Sequence, residues 1–311
     1  MEEQFYFAPM EGITGYIYRN AQSRHFKKAD WYVAPFIVSN QKGVLKSRDK
    51  NDILPEHNTE VSLIPQILSG RAEEFLLMAK KIREFGYQEI NLNLGCPSQT
   101  VTAKRKGAGF LLYPEELDRF LDEVFSKLDM RISVKTRLGW ERPEEFYELI
   151  KIFNRYPLAK LMIHPRVRMD FYKNRPNWEV FGEGMAMSRN PVCYNGDLFT
   201  AEDVKKFREH FPEVHHLMIG RGLLRDPALL EKLEDEKEET DKERYHEFIR
   251  DVCEGYRQVM SGDKNVLFKM KELWGYMIEL FPGKEKCGKK IRKARSLSEY
   301  EQIVDELFVS I

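Results

Sequence analysis

Residues 89–135 contain the pattern that decides the fold. A short apolar run, EINLNL at 89–94, is followed by the amphipathic stretch PEELDRFLDEVFSKL at 114–128 and by a second apolar run, RISVK at 131–135. In the middle stretch apolar residues recur at helical spacing, at Leu117, Phe120, Leu121, Val124 and Leu128. Two strands joined through a helix of this length are parallel neighbours in one sheet. The stretch therefore predicts a β–α–β unit.

The same alternation extends outward from this unit through most of the chain. Eight segments have the length and apolar content of buried strands: Phe5–Ala8, Trp31–Pro35, Leu63–Leu68, Glu89–Leu94, Arg131–Lys135, Lys160–His164, Pro191–Asn195 and Leu217–Gly220. Eight strands in about 220 residues predict an α/β fold of the (β/α)8 TIM-barrel type. An open doubly wound sheet is the alternative, but no GxGxxG motif follows the first strand.

The alternation stops after Asp226 and Pro227, and the rest of the chain has helical patterns without strands. In the last helix Ser298 and Glu301 have the spacing of a capping box. One face of that helix carries Tyr300, Ile303, Val304, Leu307 and Phe308. We therefore predict a barrel over residues 1–239 and a small all-α domain over residues 240–311.

The overall composition excludes several classes of protein. The 311 residues are 42% hydrophobic and 32% charged, which fits neither an integral membrane protein nor a disordered chain. The start, Met-Glu-Glu-Gln, lacks the features of a signal peptide, so a cytoplasmic protein is expected. The four cysteines form no CxxC pair and predict neither a zinc site nor a disulfide framework.

Charge is balanced overall but unevenly distributed. The chain has 50 basic and 50 acidic residues, which argues against a general nucleic-acid coat. Residues 231–243 nevertheless carry eight acids against three bases, and residues 284–295 carry seven bases against one acid. The simplest interpretation of each run is a solvated helix face.

In a barrel the chemistry takes place where the strands end, at their carboxyl-terminal face. The residues at those positions are Ala8–Met10, Gln66, Asn93–Cys96, Lys135, His164, Asn195–Asp197 and Gly220–Gly222. The last two groups follow the seventh and eighth strands, where barrels commonly bind phosphate. Gly220 and Gly222 allow close approach of the backbone to an anion, and Arg221 adds charge-assisted hydrogen bonds.

Two basic residues end neighbouring strands. Lys135 follows an apolar strand and is predicted to point into the mouth of the barrel, where it could hold an anionic ring or form a Schiff base. A lysine that reaches out to solvent is the alternative. His164 is followed by Pro165 and Arg166, which together make a second basic corner, although a purely structural histidine would give the same sequence.

Cys96 lies between Gly95 and Pro97, at the turn that follows a buried strand. A cysteine at such a turn is usually a small buried hydrophobe. At the active face it would be a nucleophile or, because an ordinary thiol pKa near 8.5 keeps the proton on sulfur, a general acid. The polar, basic, glycine-ended residues 98–109 that follow have the composition of a mobile lid.

Taken together, the motifs resemble the tRNA-dihydrouridine synthase family. In order they are APMEGIT at 8–14, PQILSG at 65–70, NLNLGCP at 91–97 with Val101, Lys104 and Gly107 behind it, VKTRLGW at 134–140, IHPR at 163–166, NGD at 195–197 and GRGLLRDP at 220–227. The basic C-terminal run, followed by KARSLSEYEQIVDELF, is similar to the helical tRNA-binding domain of that family.

The resemblance implies a reductase that uses bound FMN and NADPH to saturate the C5–C6 bond of uracil in tRNA. Cys96 would donate the proton. The residues implied to hold FMN are Pro9, Met10, Gln66, Lys135, His164, Asn195, Asp197, Gly220, Arg221 and Gly222. Those implied to contact the flipped-out base or the tRNA are Asn93, Arg137, Lys104, Arg166, Lys289, Lys290, Lys293 and Arg295.

Glu11, Gly15 and Pro165 depart from the family pattern, which usually has Ala, Asp and Gly at these places. Two other functions remain open: a flavin barrel that acts on a small molecule, and a binding protein that keeps the barrel without the chemistry. An enzyme that acts on a small molecule would not need a basic helical tail. A binding protein without chemistry would not need Cys96, Lys135 and His164. We further expect a monomer without a bound metal ion.

Overall fold

The computed structural model describes residues 3–234 and 241–310. The strands are β1 Gln4–Phe7, β2 Trp31–Val33, β3 Ile37–Val38, β4 Leu63–Ile64, β5 Gln66–Leu68, β6 Glu89–Leu94, β7 Arg131–Gly139, β8 Lys160–Val167, β9 Val192–Tyr194 and β10 His216–Ile219. The α-helices are α1 Tyr16–His25, α2 Ser47–Ile53, α3 Ala72–Arg83, α4 Gln99–Thr102, α5 Pro114–Lys127, α6 Phe146–Phe153, α7 Trp178–Met187, α8 Ala201–His210, α9 Arg221–Arg225, α10 Leu229–Lys232, α11 Lys242–Val259, α12 Asp263–Met277, α13 Glu285–Lys293 and α14 Leu297–Val309.

The strands are parallel and close into a barrel through residues 63–68. In this segment β4 pairs with β2, and β5 pairs with both β3 and β6. Pro65 separates the two halves because it has no N–H to donate, but its carbonyl still accepts from Asn91 N at 2.9 Å. Since β2 and β3 lie along one side of this segment and β6 along the other, the sheet has eight strand positions. The predicted (β/α)8 barrel is confirmed.

Alternate side chains along the strands form two separate cores. One set points into the barrel and forms the inner cluster Tyr6, Ala8, Val33, Ile64, Met162, Cys193 and Met218. The other set packs against the surrounding helices, for example Leu217 and Ile219 of β10. This period of two is the expected consequence of strand geometry. On several strands the next inward residue towards the carboxyl end is polar.

Two strands are longer than the sequence predicts. β7 continues past Lys135 to Gly139, and β8 continues past His164 to Val167, with Arg137 paired to His164. Pro165 is tolerated because it lies beyond Ile163, the last residue of β8 that pairs with β9. Lys135 and His164 therefore lie within strands that extend further over the barrel mouth.

The C-terminal helices contact the barrel at several places. On α11, Asp251 pairs with Arg24 at 2.9 Å, and the Tyr245 hydroxyl donates to the carboxylate of Asp226. On α12, Lys269 Nζ donates to the Gly12 carbonyl at 2.5 Å, directly after the first strand. Because that loop is at the carboxyl end of β1, the helices adjoin the mouth of the barrel.

The last helix has the predicted apolar face, but its predicted cap is wrong. The helix begins two residues earlier, so Ser296 accepts from Glu299 N at 3.1 Å, and Glu299 accepts in turn from Arg295 N at 2.7 Å. The earlier start buries Leu297 with the rest of the apolar face. The predicted domain boundary at 239/240, and residues 235–240 of the acidic run at 231–243, lie outside the described residues. Within the described ranges no helix is long and apolar enough to cross a membrane.

Candidate active site

The polar residues of the barrel mouth are positioned by the strands that carry the inner core. On β8 the inward residues run from buried Met162 to His164 and then to Arg166. On β7 they run from Ser133 to Lys135 and on to Arg137. Because each step of two residues keeps a side chain on the same face of the strand, the apolar core is succeeded by polar residues towards the mouth.

Asp197 joins two arginines at this end of the barrel. Arg166, which is 2% exposed, binds Asp197 through both terminal nitrogens at 2.9 and 2.5 Å. Arg221 reaches the same carboxylate at 2.6 Å. One carboxylate therefore orients two guanidinium groups, and the pair retains a net positive charge that suits an anionic ligand.

His164 is neutral in this environment. Burial lowers its pKa well below the usual range, and the cations Arg137, Lys135, Arg166 and Arg221 lower it further. Arg166 donates to His164 Nε2 at 2.9 Å. Because a guanidinium can only donate, Nε2 must accept, and the neutral ring carries its proton on Nδ1. That N–H can donate a hydrogen bond to a ligand.

Lys135 is a half-buried cation that has no hydrogen-bond or ion-pair partner within residues 3–234 and 241–310. Burial lowers its pKa to about 8, and Arg137 adds to the decrease. A negative charge placed beside it would reverse this shift by favouring the protonated amine. The side chain is therefore suited to compensate charge on a bound group.

A small cavity lies among these residues. Its walls include Pro9, Met10, Lys135, His164, Asn195, Gly220, Arg221 and Gly222, eight of the ten residues predicted to hold a cofactor. Gly220 matters because a Cβ atom there would lie 3.2 Å from Ala8 Cβ and 3.9 Å from Met10 Sδ, so a larger residue would narrow the cavity. Gln66 and Asp197 lie outside the lining.

Two aromatic side chains that were not predicted from the sequence, Tyr172 and Phe199, also line the cavity. Tyr172 is 45% exposed and covers the mouth, with the Arg221 guanidinium 4.6 Å from its ring. The ring of Phe199 lies 5.0 Å from the same guanidinium. The only sequence signal for Tyr172 is an aromatic pair, Phe171-Tyr172, within an otherwise polar loop after β8.

The Cys96 loop is held by the side chain of Asn93. Asn93 Oδ1 accepts from the backbone N–H of Gly95 at 3.1 Å and from that of Cys96 at 2.9 Å. Gly107 packs behind the cysteine with φ of 56°, and a Cβ there would lie 2.8 Å from the Cys96 carbonyl oxygen. Burial raises the pKa of the Cys96 thiol, so the half-buried sulfur keeps its proton at neutral pH.

Buried amides join this loop to the neighbouring strands. Asn93 Nδ2 donates to Gln66 Oε1 at 2.8 Å, and Gln66 Nε2 donates to Asn91 at 2.8 Å. Arg137, which is 1% exposed, donates to the carbonyls of Gly95, Val167 and Phe171 at 2.8–2.9 Å. In this structure Gln66, Asn93 and Arg137 hold the walls of the site, and their predicted contacts with cofactor and substrate stay predictions.

Comparison with known proteins identifies the family. The family model described as dihydrouridine synthase matches residues 6–310. The chain belongs to the dihydrouridine synthase family. A tRNA-dihydrouridine(16) synthase of Pseudomonas syringae pv. tomato is 29% identical over 74% of this chain and 74% of its own length. A probable tRNA-dihydrouridine synthase of Staphylococcus epidermidis is 27% identical over 77% of this chain and 74% of its own.

The fold also resembles that of a solved structure outside the dihydrouridine synthase family. A histamine dehydrogenase from Rhizobium sp. 4-9 superposes with a TM-score of 0.57 at 11% identity, over 81% of this chain and 49% of that protein. At this identity the likeness concerns the fold alone. The predicted family and the predicted class of enzyme, a tRNA-dihydrouridine synthase, are confirmed by the family match.

For this dihydrouridine synthase family member, the predicted lid over residues 98–109 is too long. Residues 99–102 form α4, and residues 107–111 are buried, with Ala108 N donating to the Cys96 carbonyl at 3.0 Å. Of the basic residues between them, Arg105 pairs with Glu116 at 3.1 Å and Lys106 with Glu74 at 3.6 Å. Lys104 is exposed and forms no ion pair with any described residue. Its predicted contact with the substrate stays a prediction.

The basic run at the C-terminus forms a charged surface on α13. Lys286, Lys289, Lys290 and Lys293 recur at helical spacing on its exposed side, while Gly288 and Ile291 are buried on the other. Arg292 and Arg295 are also exposed. None of these six cations pairs with a carboxylate of the described residues, although many surface cations elsewhere in the chain do. In the described residues, therefore, this surface is rich in uncompensated charge.

Proposed function

We propose that this protein reduces the C5–C6 bond of specific uridines in tRNA, with FMN bound in the barrel mouth and NADPH as the reductant. The main support is that the barrel mouth carries a net positive charge and has the protonated thiol of Cys96 at its edge. A flavin barrel that reduces a small molecule would not require the exposed cations of α13, whereas a tRNA substrate would. A tRNA substrate also places the reaction in the cytoplasm.

The residues at the mouth fit a phosphate-bearing flavin. Gly220 leaves room for the phosphate beside Ala8 and Met10, and Arg221 and the Nδ1–H of His164 are the donors that would bind it. Gly222 is required by packing instead, because a Cβ atom there would overlap the Leu198 carbonyl oxygen. Asp197 keeps Arg221 in place at 2.6 Å but, as a carboxylate, does not itself bind phosphate. We therefore assign Asp197 a positioning role. The unpartnered Lys135 would lie beside the ring system.

When bound, the flavin supplies the hydride that uracil receives at C6. Cys96 holds the matching proton on Sγ and delivers it to C5, since its raised pKa keeps it in the thiol form at neutral pH. Asn93 fixes the position of this thiol through the two backbone N–H groups that it binds. The target base must leave its stack to reach this depth.

The test of this function is chemical. The purified protein should be yellow, and mass spectrometry of tRNA should show dihydrouridine missing at defined positions in a strain that lacks the gene. Mapping those positions identifies the target uridine. A colourless protein, or an unchanged content of dihydrouridine at every position, would refute the proposal.

Arg221→Ala is expected to weaken FMN retention. A charge-assisted hydrogen bond to phosphate contributes roughly 1.5–3 kcal/mol, so the dissociation constant of FMN should rise about 10- to 100-fold. Flavin fluorescence during titration measures it. Arg225→Ala is the matched control, because Arg225 ends the same helix but pairs with Glu279 at 3.2 Å. Equal losses in the two variants would argue against a phosphate contact at Arg221.

Replacement of four cations on the α13 surface by alanine is expected to weaken tRNA binding without affecting FMN. Removal of each phosphate contact should flatten the log–log salt dependence of binding by about 0.7–0.9. The variant changes Lys289, Lys290, Lys293 and Arg295. A control that removes the same amount of charge changes Lys80, Lys81, Lys151 and Lys205, which are exposed on the outer helices of the barrel.

Filter binding of tRNA at several salt concentrations distinguishes these variants. The α13 variant should show lower affinity and a flatter slope, and the control should behave as the unmodified protein. If both variants keep the original slope, the α13 surface is a solvated face that does not contact tRNA.

A further inference from the structure

A second, larger cavity lies beside the barrel mouth, between the barrel and the C-terminal helices. It has a volume of about 430 Å³, within the range of sites for small organic groups. Its walls come from the loop after β1, from Pro35 and Phe36 before β3, from α2, and from the segment that joins α11 to α12. None of the residues assigned to FMN or to proton transfer lines it.

The cavity is apolar and its charges are already compensated. Phe36, Tyr16 and Tyr256 contribute rings, and Val259, at the end of α11, contributes an aliphatic side chain that is 54% exposed. The charged groups in the walls are all paired. Glu11 pairs with Arg48 at 2.8 Å, Asp49 with Arg48 at 3.3 Å, Asp52 with Arg19 at 3.2 Å, and Lys269 with Glu272 at 3.1 Å. Such a cavity suits an uncharged ring more than a phosphate group.

The cavity adjoins the reaction site. Glu11 and Gly12, which line it, directly follow Met10, which lines the small cavity at the mouth. Burial is the main reason that the pKa of Cys96 is raised, and the nearby Glu11 carboxylate raises it further. A group in the larger cavity would thus lie next to a uracil positioned against Cys96.

We propose that this cavity binds the base of a nucleotide adjacent to the target uridine in the tRNA. The inference rests on the proposed function and names a contact that makes the reaction possible. When the target base is flipped out, its neighbours lose their stacking partner. An aromatic wall such as Phe36 replaces that contact for any base, because each base has a π-face. The side chains of Asn51 and Asn265 lie at the walls and can bind the edge of the ring.

The same features argue against NADPH as the occupant. A dinucleotide carries several phosphates, which require cations that are free to bind them. The two cations of this cavity, Arg48 and Lys269, are each committed to carboxylates. NADPH binding here would have to break these pairs, whereas a nucleobase would leave them intact.

Val259→Trp tests the cavity by filling it. The side chain is exposed, so the larger ring enters the cavity without disturbing a buried core. KM for tRNA should rise about 10- to 100-fold, the range of base–aromatic stacking, while FMN content and NADPH oxidation without tRNA stay unchanged. Phe36→Ala should raise KM in the same direction by removing the stacking surface. Met187→Trp, at the end of α7 and 39% exposed on the opposite end of the barrel, is the control.

Abasic substrates identify the group that is bound. Once the target uridine is mapped, tRNAs lacking one flanking base are compared with intact tRNA. With the unmodified enzyme, one abasic tRNA should show the same increase in KM that Val259→Trp shows with intact tRNA. When Val259→Trp is assayed with that abasic tRNA, KM should rise no further. Additive effects, an unchanged KM for Val259→Trp, or an increase only in KM for NADPH would each overturn the inference. If the unmodified enzyme forms no dihydrouridine at all, the proposed function fails and the inference fails with it.

Discussion

Cys96→Ala protein is expected to bind FMN and accept electrons from NADPH normally but to lose most uridine reduction. A positioned general acid contributes about 10²–10⁴-fold, and the half-buried thiol of Cys96 is held at the mouth by two backbone N–H bonds to Asn93. The loss should therefore lie in the step that consumes tRNA. Single-turnover reduction of tRNA by prereduced enzyme measures that step separately from flavin reduction.

The pH dependence supplies a second readout for Cys96. Burial raises its pKa, so the thiol is fully protonated through neutral pH, and the rate should fall only as the pH rises above the ordinary thiol value of about 8.5. This decline should be missing from the residual activity of Cys96→Ala. Cys253→Ala, which removes a buried thiol from α11, is the matched control and should retain turnover. Near-normal reduction by Cys96→Ala would assign the proton to another donor.

Lys135→Ala is expected to impair the earlier half of the reaction. The cation lies at the mouth without a partner among the described residues, and its removal leaves charge on the bound ring uncompensated. Loss of one such electrostatic contact typically costs about 10²–10³-fold in rate. Flavin reduction by NADPH should slow by about that factor, or the protein should lose its cofactor. Stopped-flow absorbance in the absence of tRNA measures the reduction rate.

The sign of the pH effect follows from the lowered pKa of Lys135, which is about 8. Below that pH the amine is protonated and attracts negative charge, and above it the attraction is lost. FMN binding by the unmodified protein should thus weaken as the pH rises through about 8, while Lys135→Ala shows no such dependence. Lys160→Ala is the control, because burial also lowers the pKa of Lys160, which begins β8 at the far end of the barrel. Yellow Lys135→Ala protein that is reduced at the normal rate would exclude this role.

Eight strand positions were predictable because each contains a compact apolar run, and their number together with the missing GxGxxG motif favoured a closed barrel over an open parallel sheet. The short strand β3, Ile37–Val38, was not predicted. The ends of β7 and β8 were not predicted. Arg137 and Arg166 are too polar to be recognised as strand residues, although Ile132, Val134, Thr136 and Leu138 continue the period of two on the outer face. Burial inside a closed barrel, which has no sequence signature, keeps these charged residues in the strand.

The candidate site was predictable as a set of strand-end residues but not as a network. Nothing in the sequence shows that Asn93 binds the Cys96 loop or that Asp197 joins two arginines, because these contacts depend on the three-dimensional placement of separate loops. Tyr172 was missed for the same reason, since it reaches the mouth from a loop that no motif marks. The cavity beside the mouth requires α11 and α12 to pack against the barrel, which residue patterns cannot specify.

Arg137 has a consequence for how this enzyme can be redesigned. Its guanidinium connects the loop after β6 with Val167 and Phe171, at and beyond the end of β8. In many barrels the loops at this face vary independently, which is why one scaffold supports many reactions. Here a graft that replaces either loop alone would leave a buried charged donor without its acceptor. New specificities are therefore expected to require exchange of both loops as one cassette, together with the strand that lies between them.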